Sequence, residues 1–322
     1  MQRRRFIQGI SAAAAGAFIS GSYAFVPYSS EKKKQLHVGW ITDVHHGYCV
    51  DAEKRLSAFI DEAGQRKLDF IIQGGDFCHP TKEAGTFMNT WNSFKGDKYH
   101  VLGNHDMDKG TKKEIMDLWG MEKPYYSFDQ GDFHFVVMDC NYILDNGNYV
   151  DYAKANFYID GSRRDLVNPE QIEWLRADLS NTRKQTVIIS HQSFDDVWTG
   201  YSVPNKMDVR KVIDEANSKL DKPKVIACFC GHHHLDHHME INGVHYFHIN
   251  SASYYYVGDG FGSDGAKAMY ADPLYCFVSL DPTGKITIEG RGSRFVSPTP
   301  ADKGYVNASK ITASIQDRSI RY

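Results

Sequence analysis

Five short apolar runs in this chain stop in the same way. Residues 36–42 give onto Asp43-Val44-His45, and residues 69–73 onto Gly74-Gly75-Asp76. Residues 99–102 are followed by Gly103-Asn104-His105-Asp106, residues 186–190 by His191, and residues 224–230 by Gly231-His232-His233-His234. Runs of this kind read as buried strands, and Gly, Asp and Asn are the residues that turn a chain out of one. Between them lie segments with helical spacing. Leu56, Phe59, Ile60 and Ala63 mark 52–67, Phe87, Trp91 and Phe94 mark 82–94, and Ile172, Leu175 and Leu179 follow Asn168. Strands that alternate with helices run parallel, so their C-terminal ends collect along one edge, where sites form. Polar residues far apart in sequence are therefore expected to meet.

The remaining segments follow the same rules. Residues 111–119 and 206–219 have helical patterns. Three hairpins are signalled by Gln130-Gly131-Asp132, Asn242-Gly243 and Pro282-Thr283-Gly284. A further helix opens with Asn168 as cap, Pro169 at the first helical position and Gln171 as the return partner of a capping box. Residues 141–165 lack periodicity and are expected to form a long surface insertion. The expectation is an α/β fold, a four-layer αββα sandwich of two mixed β-sheets flanked by helices. No linker divides it, so one domain is expected over 36–296, with 297–322 as a tail packed on it or extending it.

Composition supports a folded domain. Hydrophobic residues make up 42% of the 322 residues and charged residues 24%, which excludes a disordered chain. Lys and Arg number 37 against 40 Asp and Glu, so no basic surface invites nucleic acid. The 15 His against 6 Cys favour an imidazole metal site over a thiolate one. Cys49, Cys78, Cys140, Cys228, Cys230 and Cys276 form no regular framework. Cys228 and Cys230 alternate in an apolar run and are expected on one strand face as small core residues.

Residues 1–24 are expected to be an export signal and 25–35 a linker. Arg3-Arg4-Arg5-Phe6-Ile7, the small-residue apolar run and the Ser22-Tyr23-Ala24 site fit that role, and the opening resembles a twin-arginine signal. The expected location is periplasmic or extracellular. Removing the signal takes away three Arg, leaving 34 basic and 40 acidic residues, a net of -6. No other long apolar run occurs, so no stable membrane span is expected in the mature chain.

Any one of the five polar clusters, taken alone, is an ordinary turn, a capping carboxylate or a solvated histidine. All five in fixed order, each at a strand end, are not explained that way. The pattern Asp-x-His, Gly-Asp, Gly-Asn-His-Asp, a single His and Gly-His-x-His runs from Asp43 to His234. It resembles the calcineurin-like metallophosphoesterase family, and within it the bacterial cyclic-nucleotide-phosphodiesterase-like branch. The resemblance implies a two-metal phosphoester hydrolase. Carried across by position, it implies one metal held by Asp43, His45, Asp76 and His234, and a second held by Asp76, Asn104, His191 and His232. Such donors suit divalent Mn, Fe, Zn or Co without choosing among them. A hydroxide shared by two ions would attack phosphorus in line. His105 is implied as the group that assists the leaving oxygen, with Asp106 expected to orient its ring. Two ions outweigh Asp43 and Asp76, giving a positive pocket that draws in a phosphate anion.

Around this set, His46, His79, His233, Trp198 and Tyr254 are candidates for touching substrate or supporting the ligands. His79 stands where the purple acid phosphatase branch carries Tyr, so a tyrosinate–iron centre is not expected. The aromatic or Gly-rich segments 195–201, 253–256 and 258–262, and the insertion with Arg163 and Arg164, are candidates for selecting the substrate by covering the metals or stacking on a base or aryl group. His237, His238, His245 and His248 are expected on a hairpin surface or in packing. The expected substrate is a small phosphomonoester or phosphodiester, with nucleotide-like esters among the candidates and no nucleic-acid partner. Two readings compete. A non-catalytic metal- or ligand-binding module on the same fold is opposed by the presence of Asp76 and His105. A nuclease acting on single strands is opposed by the acidic balance.

Overall fold

The computed structural model describes residues 34–198, 201–218, 224–257 and 266–322. The expected export signal, the linker through Lys33 and the segment 258–262 lie outside the described residues. The chain runs β1 (Leu36–Ile41), α1 (Ala52–Gln65), β2 (Phe70–Gln73), α2 (Ala84–Asn92), β3 (Asp97–His100) and α3 (Lys112–Trp119). Two hairpins follow, β4 (Tyr126–Gln130) with β5 (Phe133–Val137) and β6 (Tyr142–Asp145) with β7 (Asn148–Asp151). Then come α4 (Pro169–Asn181), β8 (Gln185–Ile189), α5 (Lys206–Asn217) and β9 (Val225–Cys230). The last third is strand: β10 (His237–Ile241), β11 (Val244–His248), β12 (Tyr254–Tyr256), β13 (Lys267–Met269), β14 (Cys276–Asp281), β15 (Lys285–Gly290) and β16 (Arg318–Arg321).

Two six-stranded sheets result, ordered β16-β15-β14-β1-β2-β3 and β10-β11-β9-β8-β5-β4. Both are mixed. β1, β2 and β3 are parallel, and so are β11, β9, β8 and β5, while the other pairings are antiparallel. Strand alternation divides the apolar residues into layers. Val38, Trp40, Phe70 and Ile72 face Phe135, Val187, Ile189 and Phe229 across the space between the sheets. Ile41 and Ile71, on the opposite face, pack with Leu56, Phe59, Phe87 and Trp91 of α1 and α2. Val136, Ile188 and Cys228 do the same with Leu175, Val209 and Val212 of α4 and α5. The fold is the expected four-layer sandwich. No helix among the described residues is long and apolar enough to cross a membrane.

Two local expectations change, and a third is made specific. Residues 141–165 are more than a surface insertion: they form the β6–β7 hairpin and bury Tyr152 and Phe157 completely. The turn is Asn146-Gly147, both with positive φ, a strong hairpin signal between the short strands Tyr-Ile-Leu-Asp and Asn-Tyr-Val-Asp. Gln171 does not close a capping box. Asn168 accepts from its backbone N–H, but its side chain bonds both backbone groups of Asp139, fastening α4 to the end of β5. The complete capping box is Thr111 with Glu114, at the start of α3. The tail extends the domain, since β16 pairs with β15 at the sheet edge and Ile315 joins the core between the sheets.

Candidate metal centre and active-site cleft

Every proposed ligand follows a parallel strand. Asp43 and His45 follow β1, Asp76 follows β2 and Asn104 follows β3, all from the first sheet. His191 follows β8, and His232 and His234 follow β9, from the second. Hydrogen bonding continues past the strand ends, with Asp43 N–H donating to Gly75 O and His45 N–H to Asp76 O. Five of these residues have left-handed backbone: Asp43 (φ 54°), His45 (55°), Asp76 (50°), His232 (65°) and His234 (51°). A non-glycine residue there costs about 1–3 kcal/mol, and such strain collects at functional sites. Gly103 and Gly231 give the loops room. A Cβ on Gly103 would overlap Asp76, and one on Gly231 would overlap Thr42 Oγ1 and the Asp43 carboxylate.

The side chains converge. Asp43, His45 and His234 form one buried group whose donor atoms lie within 4.8 Å of one another, and Asp76, His191 and His232 form a second. Asp76 Oδ2 is 3.0 Å from His191 Nε2 and 3.8 Å from His45 Nε2, so it reaches both groups. His234 Nε2 is 3.1 Å from Asp43 Oδ1 and 3.0 Å from His45 Nε2. The far ring nitrogens are held by backbone: His191 Nδ1 donates to Gly74 O and His234 Nδ1 to Tyr254 O, both at 2.7 Å. That fixes the tautomer and turns each Nε2 lone pair inward.

The charge pattern asks for a cation. Burial pulls His45 and His232 well below the usual imidazole range, leaving neutral donors. Burial also pulls His191 down, but Asp76 and Asp43 outweigh it and hold its pKa up to about 10. Asn104 Oδ1 is buried without a hydrogen-bond partner, and His191 Nε2 faces only the Asp76 and Asp43 carboxylates, at 3.0 and 3.8 Å. Buried polar atoms are normally satisfied. Oxygen and imidazole donors aimed at one point, one of them orphaned, fit divalent metal ions.

His105 stands beside this centre, its backbone N–H donating to Asp76 Oδ1 at 2.8 Å. Asp106 does not orient its ring. Both Asp106 oxygens accept backbone N–H groups, from Phe77 and Cys78 on one and from Asp76 and Gly103 on the other. Asp106 is a structural tie between two ligand loops. The ring partner is Asp108, 2.7 Å from His105 Nδ1 and bonded also by Tyr48 Oη. Burial lowers the His105 pKa, but Asp76 and Asp108 outweigh it and leave it above its ordinary value.

The remaining candidates separate. His46 stacks on Phe87, lines a surface groove with Tyr48 and Glu83, and borders a small space shared with His45, Asp76 and His105. His79 is buried beneath Tyr48, and burial pushes its pKa down to about 4. It belongs to neither ligand group. Tyr254 is buried against His45 and His234, so it supports ligands and does not line the cleft. Trp198 and His233 do line the cleft, with Phe157, Tyr158, Arg164 and Tyr256. The cleft, with a cavity volume of about 100 Å³, lies beside Asp76, Asn104, His105 and His232. His233 is buried between Tyr201 O (3.0 Å from Nε2) and His248 Nδ1 (3.2 Å from Nδ1), and His248 Nε2 bonds Asp195 at 2.7 Å. His248 and His245 are buried, in packing as expected.

The family model for calcineurin-like phosphoesterases matches residues 36–236, more than half of the chain and all of the proposed ligand loops. The chain belongs to the calcineurin-like phosphoesterase family. As a calcineurin-like phosphoesterase it is a metal-dependent phosphohydrolase. Solved structures share the fold at low identity. A dimetal phosphatase from Danio rerio is 14% identical with a TM-score of 0.61, covering 89% of this chain and 99% of that one. GAP50, described as the anchor in the inner membrane complex of Plasmodium, is 15% identical with a TM-score of 0.55, covering 89% of both chains. A purple acid phosphatase from yellow lupin is 12% identical with a TM-score of 0.52, covering 90% of this chain and 54% of that one. No curated protein matches this calcineurin-like phosphoesterase by sequence.

Proposed function

We propose that the protein hydrolyses small phosphomonoesters or phosphodiesters with two divalent metals held where its two sheets meet. The observation that carries this reading is the pair of ligand groups, Asp43/His45/His234 and Asp76/His191/His232, with Asp76 reaching both. Ions bound there supply Lewis acidity to the phosphoryl oxygens and a water acidified enough to attack near neutral pH. The chain's own residues do the rest. Asp76 also accepts the His105 N–H, which sets the imidazole beside the reacting phosphorus. Asp108 holds Nδ1, so Nε2 is the end that gives a proton to the ester oxygen as its bond to phosphorus breaks. The alcohol leaves neutral, and the water oxygen stays on phosphorus. Trp198, Tyr158 and Tyr256 line the cleft, and such an aromatic wall favours an ester of a planar, nucleotide-like alcohol.

The test is a metal-defined assay of the protein from residue 25 onward. Loaded with Mn, Fe, Co or Zn, it should turn over p-nitrophenyl phosphate or its bis ester and hold close to two ions per chain. Asp76→Asn should lose both properties. Turnover of neither ester with any metal overturns the proposal and leaves a binding module, a role suggested by the anchor description of the Plasmodium protein on this fold. Export is part of the proposal, supported by Arg3-Arg4-Arg5-Phe6-Ile7 and the apolar run after it. Finding the full-length chain only in the cytosolic fraction would refute it.

A further inference from the structure

Arg164 lies on the wall of the same cleft, and among the described lining residues it is the one permanently charged cation. Its setting is built with care for position. Phe157 touches both partners: its ring packs edge-on to the His105 ring at 5.8 Å, and its carbonyl accepts Arg164 Nη1 at 3.3 Å. Phe157 is stacked on Tyr152 at 4.7 Å, and both are fully buried. Tyr152 Oη accepts the Asp165 backbone N–H at 2.6 Å and donates to Asp165 Oδ1 at 2.9 Å, holding that residue at φ 57°. Gln192, next to the ligand His191, donates to the same Oδ1. The backbone beneath Arg164 is therefore referenced to both sides of the metal centre.

The guanidinium itself is under-used. Its Nε forms a loose ion pair with Asp165 Oδ2 at 3.5 Å, too long for a hydrogen bond, and the side chain stays 23% exposed. A planar fork of donors left in that state fits a carboxylate or phosphate oxygen pair. The scissile phosphoryl group has its own charge partners in the metals and His105, so it does not need this one.

We infer that Arg164 receives a second anionic group carried on the alcohol part of the substrate. The inference rests on the phosphoesterase reading and narrows it: the natural ester is an aromatic or nucleoside-type phosphoester with a further carboxylate or phosphate on its leaving side. The ring lies along the cleft aromatics, and the second anion meets Arg164.

Three esters with one ring separate the terms: phenyl phosphate, 4-carboxyphenyl phosphate and 4-(phosphonomethyl)phenyl phosphate. The metal-loaded protein should show a KM about tenfold lower for one or both of the doubly anionic esters than for phenyl phosphate, the scale of one charge-assisted contact. The better of the two identifies the anion as carboxylate-like or phosphate-like. Arg164→Gln should bring the three KM values within about twofold of one another, and Arg164→Lys should keep part of the preference. Equal KM values in the unaltered protein overturn the inference without any variant, and so does a preference that survives Arg164→Gln in protein that keeps its metals and its Tm. Turnover of none of the three sinks the phosphoesterase reading as well, which separates the two failures.

Discussion

At the scale of single residues, Asp108 takes the role beside His105 that was expected of Asp106. His105–Met107 is a tight 3-10 turn, in which side chains three apart eclipse. Asp108 therefore falls beneath the imidazole, while Asp106 points back into the ligand loops. Spacing alone favours the neighbour, and the turn type decides against it. Asp108→Asn should lower kcat about ten- to a hundredfold with metal content intact, because the imidazole loses the partner that fixes its tautomer. Asp106→Ala should instead cost folding and metals, since four buried N–H groups lose their acceptor at about 1–3 kcal/mol each. Thermal melts and elemental analysis on the pair distinguish these outcomes, and matching behaviour would contradict the assignment. Gly231→Ala should reduce bound metal to one ion or none while far-UV dichroism is preserved, because the added carbon displaces Asp43. The seven proposed ligand positions stand out in the sequence because each follows an apolar run. What ordinary strand patterns do not encode is their left-handed backbone or the carbonyls of Gly74 and Tyr254 that aim the rings.

Among the elements, strands and helices with strong periodicity were legible to within a few residues, and the region of 141–165 was not. Its hairpin strands are only four residues each, too short to show a period, and its anchors, Tyr152 and Phe157, are isolated rings. Lys112 adds a contact that no local pattern signals, joining α3 to Asp139 after β5 and to Asp151 at the end of β7. A different junction offers a pH test. His134 on β5 sits between Asp129 of β4 (2.7 Å) and Asp178 of α4 (2.8 Å). Burial lowers its pKa, but hydrogen bonds to Asp178 and Asp129 outweigh it and leave it above the ordinary value. A pKa raised on folding gives stability that is full below the unfolded value and is lost as pH climbs through the folded one. The Tm difference between the unaltered protein and His134→Gln should therefore be largest near about pH 5.5 and shrink toward about pH 9. A difference that grew with pH would contradict the pairing.

For the whole molecule, the proposed ligands come from both sheets: Asp43, His45, Asp76 and Asn104 hang from one, and His191, His232 and His234 from the other. Ions held among them fasten the two sheets along one edge. Metal removed by a chelator should lower Tm by about 5–10 °C, the scale expected for ions held at about a hundred times their Kd in a domain of this size. An unchanged Tm would mean the ligand loops are rigid without metal. The same edge also holds an indole. The Trp198 ring lies 5.8 Å from the ring of His233, which sits in sequence between the ligands His232 and His234. A change in the electronic state or packing of those imidazoles alters the surroundings of that indole, so the molecule carries its own optical indicator of metal uptake. Tryptophan emission should change as metal is titrated into the stripped protein, and Trp198→Phe should remove the larger part of that change.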